Sequence, residues 1–305
     1  MTRAVVFAYH NVGARCLRVL LAHHVEVPLV VTHADDPAET RWFERVADVA
    51  SDYGIPSIAP DDANAADVVD RVRALAPDFL FSFYYRRMLS AQILAIPSRG
   101  ALNMHGSLLP RYRGRAPVNW AVLHGERETG ASLHYMADKP DAGDLVAQMA
   151  VPILPDDTAR EVLDKVTVAA ECVLDRALPQ LLAGTAPRRP LNLAQASYFG
   201  GRKPEDGRID WTQHAQRIHN LVRAVAPPYP GAFADVAGHR LRVLRTRLID
   251  PDAPAGRPAL LVDGATCVVR CGGGGTLLLA DVEADGDRVT PQQLASLLGA
   301  HELRL

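Results

Sequence analysis

The chain has 305 residues, of which 48% are hydrophobic and 22% are charged, and its formal net charge is −2. This length is sufficient for two domains, each with its own hydrophobic core. Because the net charge is close to zero, the composition excludes a strongly basic protein that would attract nucleic acid or an anionic membrane through its overall field.

Cysteine usage and the N-terminal sequence indicate where the protein works. The four cysteines, Cys16, Cys172, Cys267 and Cys271, are scattered and form no CxxC pair. This pattern is typical of buried thiols in a reducing compartment, and it disfavours a disulfide framework or a zinc site. The apolar N-terminal stretch is too short for a signal peptide, and no apolar run reaches membrane-spanning length. We therefore expect a cytoplasmic protein without membrane insertion.

Buried strands and helices alternate through the first part of the chain. The predicted order is strand 3–9, helix 14–23, strand 27–32, helices 38–52 and 65–76, and strands 78–85 and 101–107. Such alternation predicts right-handed βαβ units and a mostly parallel sheet. The turn after the first strand, YHNVGA, has one glycine where a dinucleotide site has a GxGxxG series, so such a site is disfavoured.

The amino-acid composition changes after a long predicted helix. A capping box at residues 158–161 begins this helix, and Gly184 ends it. Residues 185–210 are rich in Pro, Gly and Arg, which is typical of a linker or crossing loop. We predict an α/β catalytic domain over residues 1–204 and a second domain over residues 205–305.

The second domain has the pattern of a small β-barrel. A helix at residues 213–226 precedes short strands that glycine-containing turns separate, over residues 232–250 and 259–284. The run GGGG at residues 272–275 lacks the lysine and the following helix of a phosphate-binding loop. It therefore predicts a hairpin turn.

The stretch NMHGSLLPRYRGRAP, at residues 103–117, contains the main candidates for catalytic residues. Asn103 and His105 are two apart, so both side chains point to one face where the strand ends, and open α/β sheets bind ligands at that edge. Histidine moves protons near neutral pH, and an asparagine amide donates to an oxyanion. A partner carboxylate is predicted at Asp141 in the turn KPDAGDLVAQ, with Asp144 as its competitor.

Structural explanations of these residues stay open on this basis alone. An Asn-x-His pair at a strand end is more often structural, and Asp141 by itself is most simply a turn former. Loop arginines of the kind found here, Arg111, Arg113 and Arg115, usually form a solvated surface. The sequence contains no nucleophile elbow or HExxH helix that would compete as the reactive centre.

The motifs NMHGSLLPRYRGRAPVNWAV and DAGDLVAQ resemble the 10-formyltetrahydrofolate-dependent formyltransferases, a family that includes methionyl-tRNA and sugar-amine formyltransferases. The signature HGSLLPRYRG is highly specific, and its distance from the Asp-Ala-Gly turn also fits. The resemblance covers nearly the whole chain. It implies a Rossmann-like catalytic domain with a mostly parallel sheet, followed by a small open OB-like barrel, with 10-formyltetrahydrofolate as co-substrate.

A closer resemblance exists within this family. The segments SFYYR (82–86), GRAP (114–117), YFGGRKPEDGRIDW (198–211) and HNLVRAV (219–225) resemble the formyltransferase domain of bifunctional polymyxin-resistance proteins. This implies formylation of UDP-4-amino-4-deoxy-L-arabinose for lipid A modification. Those proteins continue into an NAD-dependent decarboxylase domain, whereas this sequence ends at Leu305. We expect the second activity to lie on another polypeptide or to be absent.

The resemblance also implies roles for individual residues. His105 becomes the proton-transfer residue, Asn103 the transition-state stabiliser, and Asp141 the carboxylate that holds the histidine in its charged form. The implied folate contacts are Arg87, Met88, Leu89, Arg115, Ala137, Asp138, Lys139, Pro140 and Asp141. Residues that could line a sugar site are Tyr9, His10, Asn11, Gly13, Tyr84, Tyr85 and Arg202. We expect small-molecule partners, no nucleic acid and no metal; no motif fixes the oligomeric state.

Methionyl-tRNA formyltransferase is the nearest alternative. The family resemblance implies that methionyl-tRNA formyltransferase carries a basic insertion after its second strand, and that this insertion holds the acceptor stem of the tRNA. The corresponding residues 32–50 are short and acidic here, with Asp35, Asp36 and Glu39. Because RNA binding relies on neutralising phosphates with Lys and Arg, this segment disfavours a tRNA substrate.

Two further alternatives remain. Related enzymes act on other amino sugars joined to UDP, dTDP or GDP, and no motif distinguishes among these. A non-enzymatic folate or sugar-nucleotide binding module, or an oligonucleotide-binding barrel, is the alternative from a different class. The complete set of Asn103, His105 and Asp141 favours an enzyme, because binding alone would not need all three.

Overall fold

The computed structural model describes residues 1–35 and 41–305. The chain forms two compact units, each built from more than one segment. The first unit comprises Met1–Pro117, Glu128–Val151 and Leu163–Phe199, and the second comprises Val118–Arg127, Pro152–Val162 and Gly200–Leu305. The domain boundary between residues 204 and 205 stays a prediction.

The elements of the first two-thirds of the chain alternate as the sequence predicts. They are β1 (Arg3–Ala8), α1 (His10–Ala22), β2 (Glu26–Val31), α2 (Val46–Asp52), β3 (Ser57–Ile58), α3 (Ala66–Ala74), β4 (Phe79–Phe83), α4 (Ala91–Leu94), β5 (Ala101–His105), β6 (Arg113–Gly114), α5 (Pro117–Leu123), β7 (Glu128–Tyr135), β8 (Leu145–Pro152), α6 (Ala159–Ala183) and β9 (Tyr198–Phe199). The predicted strands and most of the predicted helices are therefore confirmed.

Seven of these strands form the sheet of the first unit, in the order β3-β2-β1-β4-β5-β7-β8. The pairs β1–β2, β1–β4, β2–β3 and β4–β5 are parallel, whereas β7 runs antiparallel to β5. All five residues of β4 are buried, as are the last five of β1. Strands buried on both faces read as unbroken apolar runs, which is why the sequence shows them clearly. The predicted Rossmann-like, mostly parallel sheet is confirmed.

One predicted helix is shorter than expected. The pattern at residues 38–52 predicts a helix, but α2 covers only Val46–Asp52, and residues 38–40 lie outside the described residues. Before α2, the rings of Trp42 and Phe43 contact the imidazole of His10 at centroid distances of 4.5 and 4.4 Å. The backbone N–H of Glu44 donates to Oδ1 of Asn11 at 2.8 Å. These tertiary contacts outweigh the weak local preference for a helix.

The predicted capping box is present at the start of α6. The Thr158 N–H donates to Glu161 Oε2 at 2.7 Å, and the Glu161 N–H donates to Thr158 Oγ1 at 3.3 Å. At the other end, Gly184 has φ +73°, the left-handed conformation that commonly ends a helix. Among the described residues, no helix combines the length and the apolar character that a membrane crossing requires.

The second unit contains the remaining elements. They are α7 (Ala215–Val225), β10 (Ala232–Val236), β11 (His239–Asp250), β12 (Ala259–Asp263), β13 (Thr266–Arg270), β14 (Thr276–Ala284), β15 (Asp287–Arg288), α8 (Pro291–Leu298) and β16 (Glu302–Arg304). The strands form an antiparallel sheet in the order β10-β11-β14-β13-β12-β16, with β15 on β14. The glycine run lies in the β13–β14 hairpin, where the Cys271 N–H donates to the Gly275 carbonyl at 3.0 Å. The OB-like designation stays a prediction.

Candidate active site

Strand β5 carries Asn103 and His105 to the carboxyl edge of the parallel strands. In the pairing of β5 with its neighbours, Asn103 lies opposite Ser82 of β4 and opposite His134 of β7. Asn103 is half-buried, and only 6% of His105 is exposed. The alternation of side chains along a strand therefore puts both groups on one face, as the sequence predicts.

Asp141 reaches this face from the turn between β7 and β8. Its φ of +51° lies in the left-handed region, which a short polar residue tolerates. Arg113 holds the turn, because its Nε and Nη2 donate to the Pro140 carbonyl at 3.0 and 2.6 Å. At Gly143 a Cβ would lie 2.0 Å from the Tyr135 carbonyl oxygen, so only glycine allows the chain to pass that close.

Three nitrogen atoms surround one carboxylate oxygen of Asp141. Oδ1 lies 3.5 Å from His105 Nδ1, 3.5 Å from His134 Nε2 and 3.4 Å from Asn103 Nδ2. The other oxygen, Oδ2, accepts the backbone N–H of Gly114 at 2.9 Å. The structure thus places Asp141 beside both predicted residues. The competing Asp144 makes a backbone contact instead, in which its carbonyl accepts the Tyr135 N–H at 2.8 Å.

Asp141 stays ionised in this environment. Its side chain is only 13% exposed, and this burial by itself would raise the pKa. The charge of His105, the hydrogen bond and charge of His134 and the N–H of Gly114 act against burial and outweigh it. The pKa of the Asp141 carboxyl therefore lies well below its usual range, and the site contains a fixed negative charge.

The hydrogen bonds of His105 show which of its nitrogens can exchange a proton. Nε2 lies 2.7 Å from the Tyr112 carbonyl oxygen. A carbonyl only accepts, so Nε2 carries a hydrogen in both the neutral and the charged ring. The exchangeable proton is therefore on Nδ1, the nitrogen that faces Asp141. His105 can accept a proton there, 3.5 Å from Oδ1 of Asp141.

His134 is a member of this cluster that the sequence reasoning missed. Its Nδ1 donates to the Tyr135 carbonyl at 2.8 Å, and its Nε2 lies 3.2 Å from Asn103 Nδ2. Only 1% of the residue is exposed. The signal that could have found it is the alternation in TGASLHY, combined with the pairing of β7 beside β5. A sequence read strand by strand does not supply that pairing.

A close contact at Gly106 joins the loop after β4 to the end of β5. A Cβ at Gly106 would lie 1.9 Å from the hydroxyl oxygen and 2.9 Å from Cζ of Tyr84. Tyr84 itself has φ +57°, an uncommon conformation for a bulky residue. The Tyr84 side chain thus covers the residue directly after His105, and the absence of a side chain at Gly106 makes room for it.

The predicted folate contacts lie on three loops of the first unit, after β4, after β6 and between β7 and β8. Met88 is 60% exposed, whereas Leu89 is 5% exposed and belongs to the hydrophobic core. The guanidinium of Arg87 donates to the Pro60 carbonyl at 3.0 Å, and the Arg115 N–H donates to the Phe199 carbonyl at 2.9 Å. Residues 137–139 are exposed, and they lead into the Asp141 turn.

Six of the seven predicted sugar-site residues belong to the first unit, where the rings of His10 and Tyr84 lie 6.4 Å apart between centroids. Tyr9 and His10 are 4% and 7% exposed, and they pack against the aromatic rings that precede α2. Gly13 is buried where α1 meets β1, and the Asn11 side chain binds the Glu44 backbone, as described above. Tyr84 and Tyr85 lie on the loop after β4. Arg202 belongs to the second unit, where its guanidinium lies 4.8 Å from the centroid of the Trp120 ring.

Within residues 1–35 and 41–305, no group of three or more His, Cys, Asp or Glu side chains could hold a metal ion.

Two sequence models of one family match the chain. The model described as "Formyl transferase" matches residues 4–178, and the model described as "Formyl transferase, C-terminal domain" matches residues 202–297. The first match alone covers more than half of the chain. The chain therefore belongs to the formyl transferase family and is an enzyme that transfers a formyl group.

Three solved structures resemble this chain in fold at low sequence identity. An N-formyltransferase from Helicobacter canadensis, in complex with folinic acid and dTDP-3-aminofucose, has a TM-score of 0.75 and 18% identity, over 95% of this chain and 100% of that chain. WlaRD, a sugar 3N-formyltransferase solved with dTDP and 5-N-formyl-THF, has a TM-score of 0.71 and 16% identity, over 91% and 97%. HypX from Aquifex aeolicus, in complex with tetrahydrofolic acid, has a TM-score of 0.64 and 17% identity, over 97% and 47%.

The contact at Gly106 gives a first prediction. Gly106→Ala should lower the free energy of unfolding by about 1–3 kcal/mol, because the new methyl group displaces the Tyr84 ring. Turnover should fall as well, since the displaced residues adjoin His105. Adding Tyr84→Phe removes the closest atom and should recover part of both losses. Chemical denaturation and steady-state rates measure these effects. Gly256→Ala is the control, because among the described residues no heavy atom beyond its chain neighbours lies within 4 Å of the Cβ that it would gain.

The polar cluster gives a second prediction. His105→Ala and Asn103→Ala should each lower turnover by at least about 10²-fold while the fold survives, the usual effect of losing an acid–base group or an oxyanion donor. Circular dichroism and thermal unfolding check the fold. His23→Ala, which removes an imidazole that pairs with Asp175 at the surface, should leave turnover unchanged. Near-normal turnover in a folded variant would remove that residue from the mechanism.

A third prediction concerns the charge of Asp141. Asp141→Asn preserves the size of the side chain but removes the charge beside His105, so kcat should fall by about tenfold or more. The dissociation constant for folinic acid should change much less, because the charge matters most while a proton moves. Asp144→Asn, in the same turn, is the matched control. An equal loss in kcat and in folate affinity would show that Asp141 serves binding.

Proposed function

We propose that this enzyme transfers a formyl group from 10-formyltetrahydrofolate to the amine of a nucleotide-linked amino sugar. One observation carries the proposal, namely the convergence of His105, His134 and Asn103 on Oδ1 of the largely buried Asp141 carboxylate. A site that only bound a ligand would have no need for an imidazole and a fixed charge in contact. Membership of the formyl transferase family then defines the group that moves.

The cluster supplies what formyl transfer requires. When an amine attacks a carbonyl carbon, negative charge develops on the carbonyl oxygen and a proton must leave the attacking nitrogen. His105 accepts that proton at Nδ1, because Nε2 already donates to the Tyr112 carbonyl. Asp141 stabilises the imidazolium that results. His105 then returns the proton to the leaving nitrogen, so the ring ends in its initial form.

Asn103 is suited to stabilise the developing oxyanion. Its amide nitrogen lies 3.2 Å from His134 and 3.4 Å from Asp141, both longer than a typical N–H···O hydrogen bond of about 2.9 Å. The amide can therefore turn a hydrogen towards a new, stronger acceptor as negative charge develops. Catalytic hydrogen bonds commonly shorten only when the reacting group is present.

The first unit offers a surface that fits a folate. The loop after β4 exposes Met88 and carries Arg87, and Arg115 directly follows Gly114, whose N–H donates to Oδ2 of Asp141. An apolar side chain suits the flat pterin, and guanidinium groups suit the carboxylates of its glutamate tail. The structures of the Helicobacter enzyme, WlaRD and HypX each contain a folate derivative, which supports the same co-substrate here.

For the acceptor we propose UDP-4-amino-4-deoxy-L-arabinose, and with it a role in lipid A modification and polymyxin resistance. The support is the resemblance of SFYYR, GRAP and RKPEDGRIDW, which catalysis alone does not require. A dTDP-linked amino sugar is the second candidate, because the Helicobacter enzyme was solved with dTDP-3-aminofucose and WlaRD with dTDP. The four cysteines are free thiols, which supports the proposed cytoplasmic location.

A tRNA acceptor is disfavoured by charge. Asp35 accepts a hydrogen bond from the Tyr9 hydroxyl at 3.0 Å and forms an ion pair with Arg45 at 2.9 Å. The positive charge of Arg45 is therefore already neutralised. Asp36 and Glu39, which the sequence reasoning also used, lie outside the described residues. Each missing phosphate contact removes an increment of affinity that depends on salt.

Side-by-side kinetics test the acceptor. We expect efficient formylation of UDP-4-amino-4-deoxy-L-arabinose and very little of methionyl-tRNA, with a dTDP-linked amino sugar as the third substrate. Formation of formyl-methionyl-tRNA without activity on either sugar nucleotide would overturn the proposal. Strong turnover of the dTDP-linked sugar alone would preserve the mechanism and correct the nucleotide.

A further inference from the structure

We infer that His33 and Asn64 are positioning residues, which hold the loop of residues 84–90 in the conformation that binds the folate. The inference rests on the proposed function, since it concerns the same loop. Residues 84–90 lie outside helices and strands, between β4 and α4. They include Arg87, Met88 and Leu89, the three predicted folate contacts in this part of the chain. Hydrogen bonds from the side chains of other segments fix the backbone of this loop at three points.

His33 holds the first half of the loop. Its Nε2 accepts the backbone N–H of Arg86 at 3.0 Å. The imidazole also stacks on the ring of Tyr85, with centroids 4.1 Å apart and planes 17° from parallel, and contacts the ring of Tyr9 edge-on at 5.2 Å. The ring is therefore held from two sides while one nitrogen fixes the peptide group between Tyr85 and Arg86.

The hydrogen bond from Arg86 requires a neutral His33. Nε2 can accept only while it has a lone pair, which places the single ring hydrogen of the neutral imidazole on Nδ1. Burial, together with the charges of Arg87 and Arg86, lowers the pKa of His33 to about 4. The imidazole is consequently available as an acceptor throughout the neutral pH range.

Asn64 holds the second half of the loop with both ends of its amide. Nδ2 donates to the Met88 carbonyl at 3.0 Å, and Oδ1 accepts the Ser90 N–H at 2.7 Å. These two backbone groups flank Leu89, whose side chain is buried in the core. The Asn64 N–H itself donates to Asp62 Oδ1 at 2.9 Å, which fixes the residue that makes the contacts.

Together the two side chains explain how the loop presents Met88. Leu89 anchors the chain inwards, Asn64 fixes the peptide groups on both sides of it, and the Met88 side chain is left exposed. A loop that is already ordered loses less conformational entropy when a ligand binds, so positioning of this kind raises affinity without any contact to the ligand. Neither residue needs to touch the folate.

Binding of folinic acid, measured by isothermal titration calorimetry, tests the inference without an acceptor substrate. His33→Phe retains an aromatic ring beside Tyr85 but loses the acceptor, and we expect the dissociation constant to rise about fivefold, as for one net hydrogen bond. His33→Gln restores an acceptor and should bind within about twofold of wild type. Asn64→Leu removes two hydrogen bonds and should cost about tenfold or more.

Matched measurements separate positioning from general damage to the fold. Asn64→Asp retains the acceptor for Ser90 but loses the donor to Met88, so its affinity should lie between wild type and Asn64→Leu. In turnover, KM for 10-formyltetrahydrofolate should rise in His33→Phe while kcat is retained. His239→Phe, which removes a partly exposed imidazole that pairs with Asp285, should change neither. Thermal unfolding confirms that each variant is folded.

The outcomes distinguish this inference from the proposed function. If the wild-type enzyme does not bind folinic acid, the proposed function fails and the inference fails with it. If wild type binds but His33→Phe and Asn64→Leu bind equally well, the inference is overturned while the proposed function stands. If His33→Phe binds as tightly as wild type while His33→Gln loses affinity, the effect belongs to the aromatic ring and the role of the hydrogen bond is overturned.

Discussion

The largely buried carboxylate of Asp141 is the constraint around which the rest of the site is arranged. An ionised carboxylate with little access to water costs several kcal/mol unless charges and hydrogen bonds compensate it. Here two imidazoles and one amide contact Oδ1, and a backbone N–H contacts Oδ2. These groups come from β5, β7 and the β6 segment. The cluster therefore forms only when all three elements are in place, and removal of one member alters the environment of the others.

The fold divides the work between a rigid sheet and the loops at its edge. Strand β5 fixes Asn103 and His105, because its neighbours β4 and β7 hold it on both sides. The groups that complete the chemistry lie on loops: Asp141 in the β7–β8 turn, and residues 84–90 after β4. Arg113 holds the first of these loops by a hydrogen bond to the Pro140 carbonyl, and His33 and Asn64 hold the second by hydrogen bonds to its backbone. Functional side chains on loops depend on such hydrogen bonds for a precise position.

Much of this arrangement follows from the sequence, and the exceptions have physical causes. Unbroken apolar runs identify β1 and β4, and the spacing of two places Asn103 and His105 on one face. The helix predicted over 38–52 is longer than the observed α2, because Trp42 and Phe43 pack on His10 and do not form a helical stripe. The role of His134 depends on which strand lies beside β5, a long-range pairing that periodicity does not encode. The two hydrogen bonds of Asn64 are equally invisible, since they join segments more than twenty residues apart.

The antiparallel direction of β7 has a consequence for how this enzyme can vary. Asn103 faces His134 because the two strands are aligned at one particular register. A slip of a single residue would turn the His134 side chain to the opposite face of the sheet and shift the start of the Asp141 turn with it. Insertions between β5 and β7 are therefore tolerated only where the connecting loops absorb them and leave the alignment unchanged. The pairing of β5 with β7 therefore fixes the distance in space between the two halves of the signature, HGSLLPRYRG and DAGD.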